Sequence, residues 1–306
     1  AGFSLSPYTS DDNYVVTGIE NEIKSYIGDL RDFESLSTVF KEFRPEIVFH
    51  LAAQTLVLES YSDPKYTFDT NVGGLVNLLE ACNNCDSVRT IVVVTSDKCY
   101  DNKEWLWGYR ENDPMGGVDP YSASKGVAEL ICSSWRSSFF YEESNIAIAT
   151  ARAGNVVGGG DWSENRLVPD CIKAININKE IEIRNPYSTR PWQFVLEPLW
   201  GYLLLGAKLA YEPDKYAEAW NFGPDIQSVL PVSDIVELII KHYKKGNWNY
   251  CNTDGAHHEA KLLAIDYSKS YFRLGWQPTL NVGECIKFTT EWYEKFSAKN
   301  LRARLV

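Results

Sequence analysis

The chain has 306 residues, 44% hydrophobic and 23% charged, the balance of a folded globular protein rather than a disordered or fibrous one. Its net charge of −11 opposes nucleic acid or an anionic membrane as a general partner, so any phosphorylated ligand must be met by a few placed arginines. No apolar run approaches ~18 residues, the opening Ala1-Gly2-Phe3-Ser4-Leu5 lacks secretory-signal character, and seven irregularly spaced cysteines point to reduced thiols in the cytoplasm.

In chain order, the spacing predicts a short strand over Ile23 to Ile27 and a helix from Phe33 to Phe43 with Leu36, Val39 and Phe40 on one face. Glu46 to Leu51 reads as a buried strand, and Tyr66 to Cys82 as one long helix with Val72, Leu75, Val76 and Leu79 on its apolar stripe. Cys82 and Cys85 form a CxxC, which reads more simply as two thiols at a helix end than as a redox centre. Thr90 to Thr95 is nearly continuous in β-branched residues, as a strand inside a parallel sheet requires. A helix from Pro120 to Phe140 and a strand from Ile146 to Arg152 continue the alternation. Repeated β-α-β units of this kind predict a doubly wound parallel sheet, which binds ligands at the carboxyl ends of its strands. Beyond Asn155 the pattern loosens until helices over Val232 to Lys244 and Val282 to Phe296 close the chain. The division expected is 1–154 as the larger lobe, with segments near 190–225 returning to it, and 155–306 as a smaller, partly interleaved lobe.

Two clusters carry chemistry. Pro120 suits a first helical position, so Tyr121 and Lys125 of Tyr121-Ser122-Ala123-Ser124-Lys125 fall four apart on one face. An ammonium there would stabilise phenolate and draw the tyrosine pKa towards neutrality, making it a usable base. The strongest strand ends in Ser96-Asp97-Lys98, setting a hydroxyl, a carboxylate and an amine at a catalytic edge of the sheet. A polar strand end followed by a turn is the plainer reading of that triplet, and a surface helix the plainer reading of the Tyr-Lys pair.

Taken together, these residues resemble the extended short-chain dehydrogenase/reductase family. Gly28-Asp29-Leu30-Arg31-Asp32, His50-Leu51-Ala52-Ala53-Gln54, Thr70-Asn71-Val72, Arg152-Ala153-Gly154-Asn155-Val156 and Asn221-Phe222-Gly223 extend the resemblance over nearly the whole chain. Thr95 to Trp105, Trp107-Gly108-Tyr109-Arg110-Glu111, Gly158-Gly159-Gly160-Asp161-Trp162 and Arg190-Pro191-Trp192-Gln193 are more narrowly similar to the CDP-glucose branch of the nucleotide-sugar 4,6-dehydratases. The resemblance implies a Rossmann-like domain that holds NAD and a lobe that holds the nucleotide sugar CDP-glucose, in a homodimer built from helices of the cofactor lobe. It implies an internal redox reaction in which Tyr121 takes the sugar C4 hydroxyl proton, Ser96 bonds the developing carbonyl and Asp97 protonates the departing C6 hydroxyl. Lys98 replaces the glutamate of the dTDP-glucose branch and matches the CDP-glucose branch; it is either the C5 base or a cationic stabiliser of the enolate. A 4-epimerase, which has no use for the Asp97-Lys98 pair, and a dTDP-glucose dehydratase are the enzymatic alternatives.

For the cofactor the same resemblance implies Asp29, Leu30, Leu51, Ala52, Ala53, Gln54, Asn71, Thr95, Ala153, Asn155 and Val156, with Tyr121 and Lys125. Asp29 would accept from the adenine amino group, or else belongs to an Asp-rich helix start. For the substrate, Arg190 is the first choice on the diphosphate, because a guanidinium matches phosphate geometry, with Arg166 and Arg184 behind it. Asn155, Leu167, Val168, Gln193, His258 and Glu259 complete the set. His257-His258-Glu259 would suggest metal only with further ligands at a suitable spacing, so no metal is expected. Trp105, Trp107 and Tyr109 either shape the sugar pocket or pack a loop. No glycine-rich phosphate loop follows a first strand, and Gly158-Gly159-Gly160 lies past the catalytic helix. Family members carry a strand, that loop and a helix before the region matching Gly2-Phe3-Ser4-Leu5, and the sole methionine is Met115. The expectation is that roughly 40 residues, one βα unit, precede Ala1, with a non-catalytic binding protein as the alternative.

Overall fold

A computed structural model describes residues 1–140, 144–251 and 260–297. The first stretch runs β1 Gly2–Ser4, α1 Asn13–Val16, β2 Ser25–Ile27, α2 Phe33–Phe43, β3 Ile47–His50, α3 Val57–Ser62, α4 Pro64–Phe68, α5 Gly74–Asn83 and β4 Thr90–Val94. It continues through α6 Pro120–Ser138, β5 Ala147–Ala153, β6 Asn155–Val157, α7 Leu167–Asn176, β7 Ile181–Ile183, β8 Thr189–Phe194 and α8 Leu196–Tyr211. The remainder is α9 Pro213–Tyr216, β9 Ala219–Phe222, β10 Val229–Pro231, α10 Val232–Tyr243, β11 Trp248–Tyr250 and α11 Val282–Ser297.

The main sheet is all parallel, in the order β3-β4-β5-β9, and a second parallel pair joins β1 to β2. Alternation along the central strands sends side chains to opposite faces, and each face has its own core. Ile91, Val93 and Ile148 pack under α2, α5 and α6 with Leu36, Phe40, Leu75, Leu79, Ala128 and Cys132. On the other face, Val92, Ala149 and Ala151 meet Tyr202, Leu205 and Leu209 of α8 together with Trp220, Phe222 and Trp276. Helices on both faces of a parallel sheet make the doubly wound, Rossmann-like architecture that the spacing predicts. The later segments form two small sheets, β10-β8-β6 and β11-β7, around a third core of α7, α10 and α11 that includes Ile172, Ile235, Ile239 and Ile286.

One element departs from its sequence reading. The long helix expected over Tyr66 to Cys82 is broken, because Asp69–Gly73 winds as a wider π turn between α4 and α5. The cause is Asn71, whose amide is held across the fold by three bonds: its Oδ1 accepts from Gln54 N at 2.8 Å, and its Nδ2 donates to Gln54 O and Ser124 Oγ at 2.9 Å. A π turn at such a position rearranges the backbone to present one side chain, at a cost to regular helix. The pair Cys82 and Cys85 lies buried and unbridged, and burial pushes the Cys82 thiol well up, so the helix-end reading holds.

Candidate active site

The site begins where β4 leaves the sheet. Its β-branched residues fill both cores, and the polar residues that follow emerge at the carboxyl edge. Ser96 caps a single 3₁₀ turn over Asp97–Cys99: its Oγ accepts from Lys98 N at 3.2 Å and donates to Asp97 Oδ1 at 3.1 Å. Asp97 Oδ2 is buried with no hydrogen-bond partner in the described structure. Burial raises the Asp97 pKa, against the opposing charges of Lys98 and Arg190 and the bond from Ser96. A carboxyl held this way favours its proton, as a general acid must.

Helix α6 supplies the opposite wall. Asp119 caps it, accepting from Ser122 N at 2.8 Å and Ser122 Oγ at 2.6 Å, and Pro120 takes the first helical position. Gly126 lets the helix close on the catalytic turn, since an added Cβ there would lie 2.7 Å from Gly116 O and 3.3 Å from Cys99 O. Tyr121 and Lys125 are both buried, and the Tyr121 phenol is a hydrogen-bond neighbour of Ser96. Lys125 Nζ donates to Val94 O at 3.3 Å, and burial brings its pKa down to about 8. The expectation that this ammonium draws Tyr121 towards neutrality is corrected: burial dominates and pushes the phenol up to about 12, opposed by the bond with Ser96 and the charge of Arg166.

Among the expected substrate residues, Arg190 and Arg166 reach this centre, Arg190 through its charge on Asp97 and Arg166 through its charge on Tyr121. Arg190 is buried on β8 and donates to Thr189 O at 2.7 Å. Arg166 precedes α7, donating to Asp161 Oδ2 at 3.1 Å and also to Thr55 Oγ1. Gln193 is buried with its Nε2 on Phe222 O at 2.9 Å and its Oε1 without a partner. Asn155 starts β6 beside Trp192, and Leu167 opens α7. Val168 faces the third core, which removes its side chain from a substrate role, and Arg184 lies beside Asp170 of α7 rather than at the catalytic turn. His258 and Glu259 lie outside the described residues.

A cavity of about 540 Å³ opens beyond the carboxyl end of β2 and is lined by Asp29, Arg31, Asp32, Asp69, Gly73 and Asn77. Asp32 is the residue that caps α2, through Ser35 N at 3.1 Å, which leaves Asp29 free of that task. Arg31 grips Asp29 with three bonds of 2.6 to 3.1 Å and holds its carboxyl below the usual range. A Cβ added at Gly73 would meet nothing within 4 Å, so the floor of this cavity is open. A fixed acceptor carboxylate past the end of a parallel strand fits the adenosine end of a dinucleotide. Leu51 and Ala52 are exposed at the end of β3, Ala53 is half-buried, and Leu30 and Ala153 belong to the cores. Val156 is 38% exposed on β6, whereas Gln54, Asn71 and Thr95 are committed to bonds within the protein.

Three groups at the site escape local motifs. Tyr202 arrives from α8, fully buried and within electrostatic reach of both Asp97 and Tyr121. Glu129 and Arg152 form a buried ion pair beneath the catalytic turn. Trp105 stacks on Tyr109 and meets Trp107 at a tilt, each pair with ring centroids 5.4 Å apart, so Trp105 and Tyr109 pack the loop while Trp107 stays largely exposed. Among the described residues no set of three acidic, Cys or His side chains is placed to hold a metal, and no helix is long and apolar enough to cross a membrane.

A doubly wound sheet with serine past its central strand, and tyrosine and lysine one turn apart on the next helix, defines a short-chain dehydrogenase/reductase type of protein. The profile of the family described as GDP-mannose 4,6 dehydratase matches residues 8–289. The chain is 45% identical over 297 residues to the CDP-glucose 4,6-dehydratase of Salmonella typhimurium, covering 96% of this chain and 83% of that one. The dTDP-glucose 4,6-dehydratase of Bacillus anthracis in complex with NAD shares the fold at TM-score 0.78 and 22% identity, over 97% of this chain and 89% of that one. The UDP-glucose 4-epimerase of Thermotoga maritima does so at TM-score 0.77 and 23% identity, over 90% and 86%. This chain belongs to the GDP-mannose 4,6 dehydratase family, the nucleotide-sugar 4,6-dehydratases.

Proposed function

We propose that the protein is a hydro-lyase that converts CDP-D-glucose to CDP-4-keto-6-deoxy-D-glucose and water, with NAD as a cofactor that is regenerated in each turnover. The observation that carries this reading is the buried Asp97 carboxyl with one oxygen on Ser96 and the other unpartnered, opposite the Tyr121–Lys125 pair. An oxidoreductase or epimerase of this fold needs the Ser-Tyr-Lys set; the added acid and Lys98 answer the needs of elimination. The likeness to the Salmonella dehydratase supports the CDP-sugar over a dTDP-sugar or a 4-epimerisation.

When bound, the nicotinamide of NAD supplies a reversible hydride acceptor at the sugar. Tyr121 removes the C4 hydroxyl proton and Ser96 donates to the new carbonyl oxygen, the C4 hydride being what the bound nicotinamide would accept. The 4-ketone acidifies the C5 proton. Lys98 sits beside Asp97, placed either to accept that proton or to stabilise the enolate as a cation. Asp97 gives its proton to the C6 hydroxyl, which leaves as water, and a proton delivered at C5 completes the part played by the residues; the bound cofactor would supply the hydride that ends at C6. Each of these proton transfers contributes on the order of 10²–10⁴ in rate.

Arg190 and Arg166 bear on the diphosphate, Asp29 on the adenosine, and the exposed residues ending β3 on the dinucleotide backbone. In this reading 1–154, with β9 and α8 returning to it, is the cofactor lobe, and 155–306 is mainly the nucleotide-sugar lobe of a cytoplasmic homodimer. The test incubates the protein carrying this chain with NAD+ and CDP-glucose, dTDP-glucose or UDP-glucose, following the 4-keto product. Product from CDP-glucose in preference to the others is expected. Product only from another nucleotide would reassign the base, and product from none would remove the dehydratase reading.

A further inference from the structure

The buried pair Glu129–Arg152 lies outside the chemistry above, yet its bonds reach both ends of the Ser96–Lys98 turn, with Glu129 on the helix that bears Tyr121 and Lys125. Glu129 sits on α6 one turn past Lys125 and two past Tyr121. Its Oε1 accepts from Thr95 Oγ1 and, at 2.9 Å, from Arg152 Nε; its Oε2 accepts from Thr150 Oγ1 at 2.8 Å and Arg152 Nη2 at 2.7 Å. Arg152 Nη1 continues to Tyr100 OH at 2.8 Å and Glu111 O at 3.0 Å, and Tyr100 OH donates to Asn221 Oδ1 at 2.7 Å. Thr95 precedes the Ser96-Asp97-Lys98 turn and Tyr100 follows it. Both ends of the catalytic turn are therefore tied to one carboxylate–guanidinium pair, which is anchored on the helix that bears Tyr121 and Lys125.

A buried ion pair is a poor choice for stability alone, because desolvating two charges offsets most of their attraction. Its placement points to another task. The titratable groups facing Lys125 are Glu129 and Cys132 on its own helix, Cys99 from the turn after β4 and His50 at the end of β3. Burial pushes both thiols up and pushes His50 down to about 3, so these three are neutral at ordinary pH. Glu129, kept ionised by Arg152 despite its burial, is the negative charge among them.

Resting on the dehydratase reading, we infer that Glu129, clamped by Arg152, is a positioning residue that fixes the Ser96–Lys98 turn against α6 and holds the Lys125 side chain as an ammonium. The charge half is tested by NMR of protein labelled in its lysine side chains, with Lys125→Arg assigning the Lys125 signal. The paired change Glu129→Gln with Arg152→Gln leaves no unpaired buried charge, so it is the variant expected to fold. The Lys125 midpoint should fall by about one pH unit in it, and the alkaline limb of kcat/KM should follow. Glu129→Asp, which keeps a carboxylate opposite Arg152, should leave the midpoint at its wild-type position. An unmoved midpoint in the folded paired variant overturns this half.

The positioning half is tested by Thr95→Val, which removes one donor and no charge. It should lower kcat about tenfold or more, through misplacement of the turn, with the Lys125 midpoint unmoved; an unchanged kcat overturns this half. Wild-type protein that makes no 4-keto product would instead count against the dehydratase reading, and the lysine titration would still report on the clamp.

Discussion

Ser96 donates its hydroxyl to Asp97 Oδ1 at 3.1 Å, which leaves Asp97 Oδ2 buried and facing no partner. A buried carboxyl oxygen without a partner is costly in a finished fold. The cost has a purpose if a substrate hydroxyl completes the set. Asp97→Asn keeps the shape and the bond from Ser96 but has no acidic proton to give. Dehydration should fall on the order of 10²–10⁴-fold, while C4 oxidation, read as reduced nicotinamide absorbance in a single turnover, should persist. Dehydration at the wild-type rate would remove the role given to Asp97.

The Tyr121–Lys125 pair sets a pH dependence. Burial pushes Tyr121 up to about 12 and Lys125 down to about 8. The lysine is an ammonium below about 8 and loses that charge, and with it its support for a Tyr121 phenolate in the working complex, as the pH rises through that value. The profile of kcat/KM should therefore decline above about pH 8, and Tyr121→Phe should lower the rate on the order of 10²-fold or more at every pH. A profile that stays flat well above pH 8 counts against the assignment.

Arg190 offers a check on the substrate end. Its guanidinium is buried on β8 and its charge reaches Asp97. Arg190→Lys keeps the charge and loses the planar fork that matches a phosphate. The KM for the nucleotide sugar should rise about tenfold, equivalent to ~1.4 kcal/mol, with kcat changed far less. An unchanged KM would move the diphosphate elsewhere.

His50 should govern part of the acid stability. Burial, aided by Lys125, brings its pKa from 6.5 to about 3. Its folded pKa is depressed, so its contribution is intact above pH 6.5 and is lost as the pH falls from there towards 3. The expected slope is about 1.4 kcal/mol per pH unit within that window. His50→Gln should flatten the dependence of the unfolding free energy on pH by that amount. Parallel curves for the two proteins would show that His50 is not buried as a neutral group.

What the sequence declares is what local spacing encodes. Tyr121 and Lys125 share a helical face by count alone, and the residues of β4 place Ser96-Asp97-Lys98 at a sheet edge because that run is β-branched up to Val94. Contacts between distant segments are another matter. Glu129 meets Arg152 across 23 residues and Tyr202 enters from the opposite face of the sheet, so neither has a motif to announce it. The break at Asp69–Gly73 is hidden for the same reason, since it answers to Gln54 and Ser124 rather than to its own neighbours. At the Tyr121 phenol, burial, which a sequence does not display, outweighs charge, which it does.

The proposed reaction moves hydride from C4 to C6 of the same sugar. CDP-glucose carrying deuterium at C4, converted in ordinary water with unlabelled NAD+, should give a 4-keto product with that deuterium in its C6 methyl group. Retention at C6, read by mass spectrometry and NMR, is expected. Unlabelled C6, with deuterium lost to solvent or left in the nicotinamide, would contradict it.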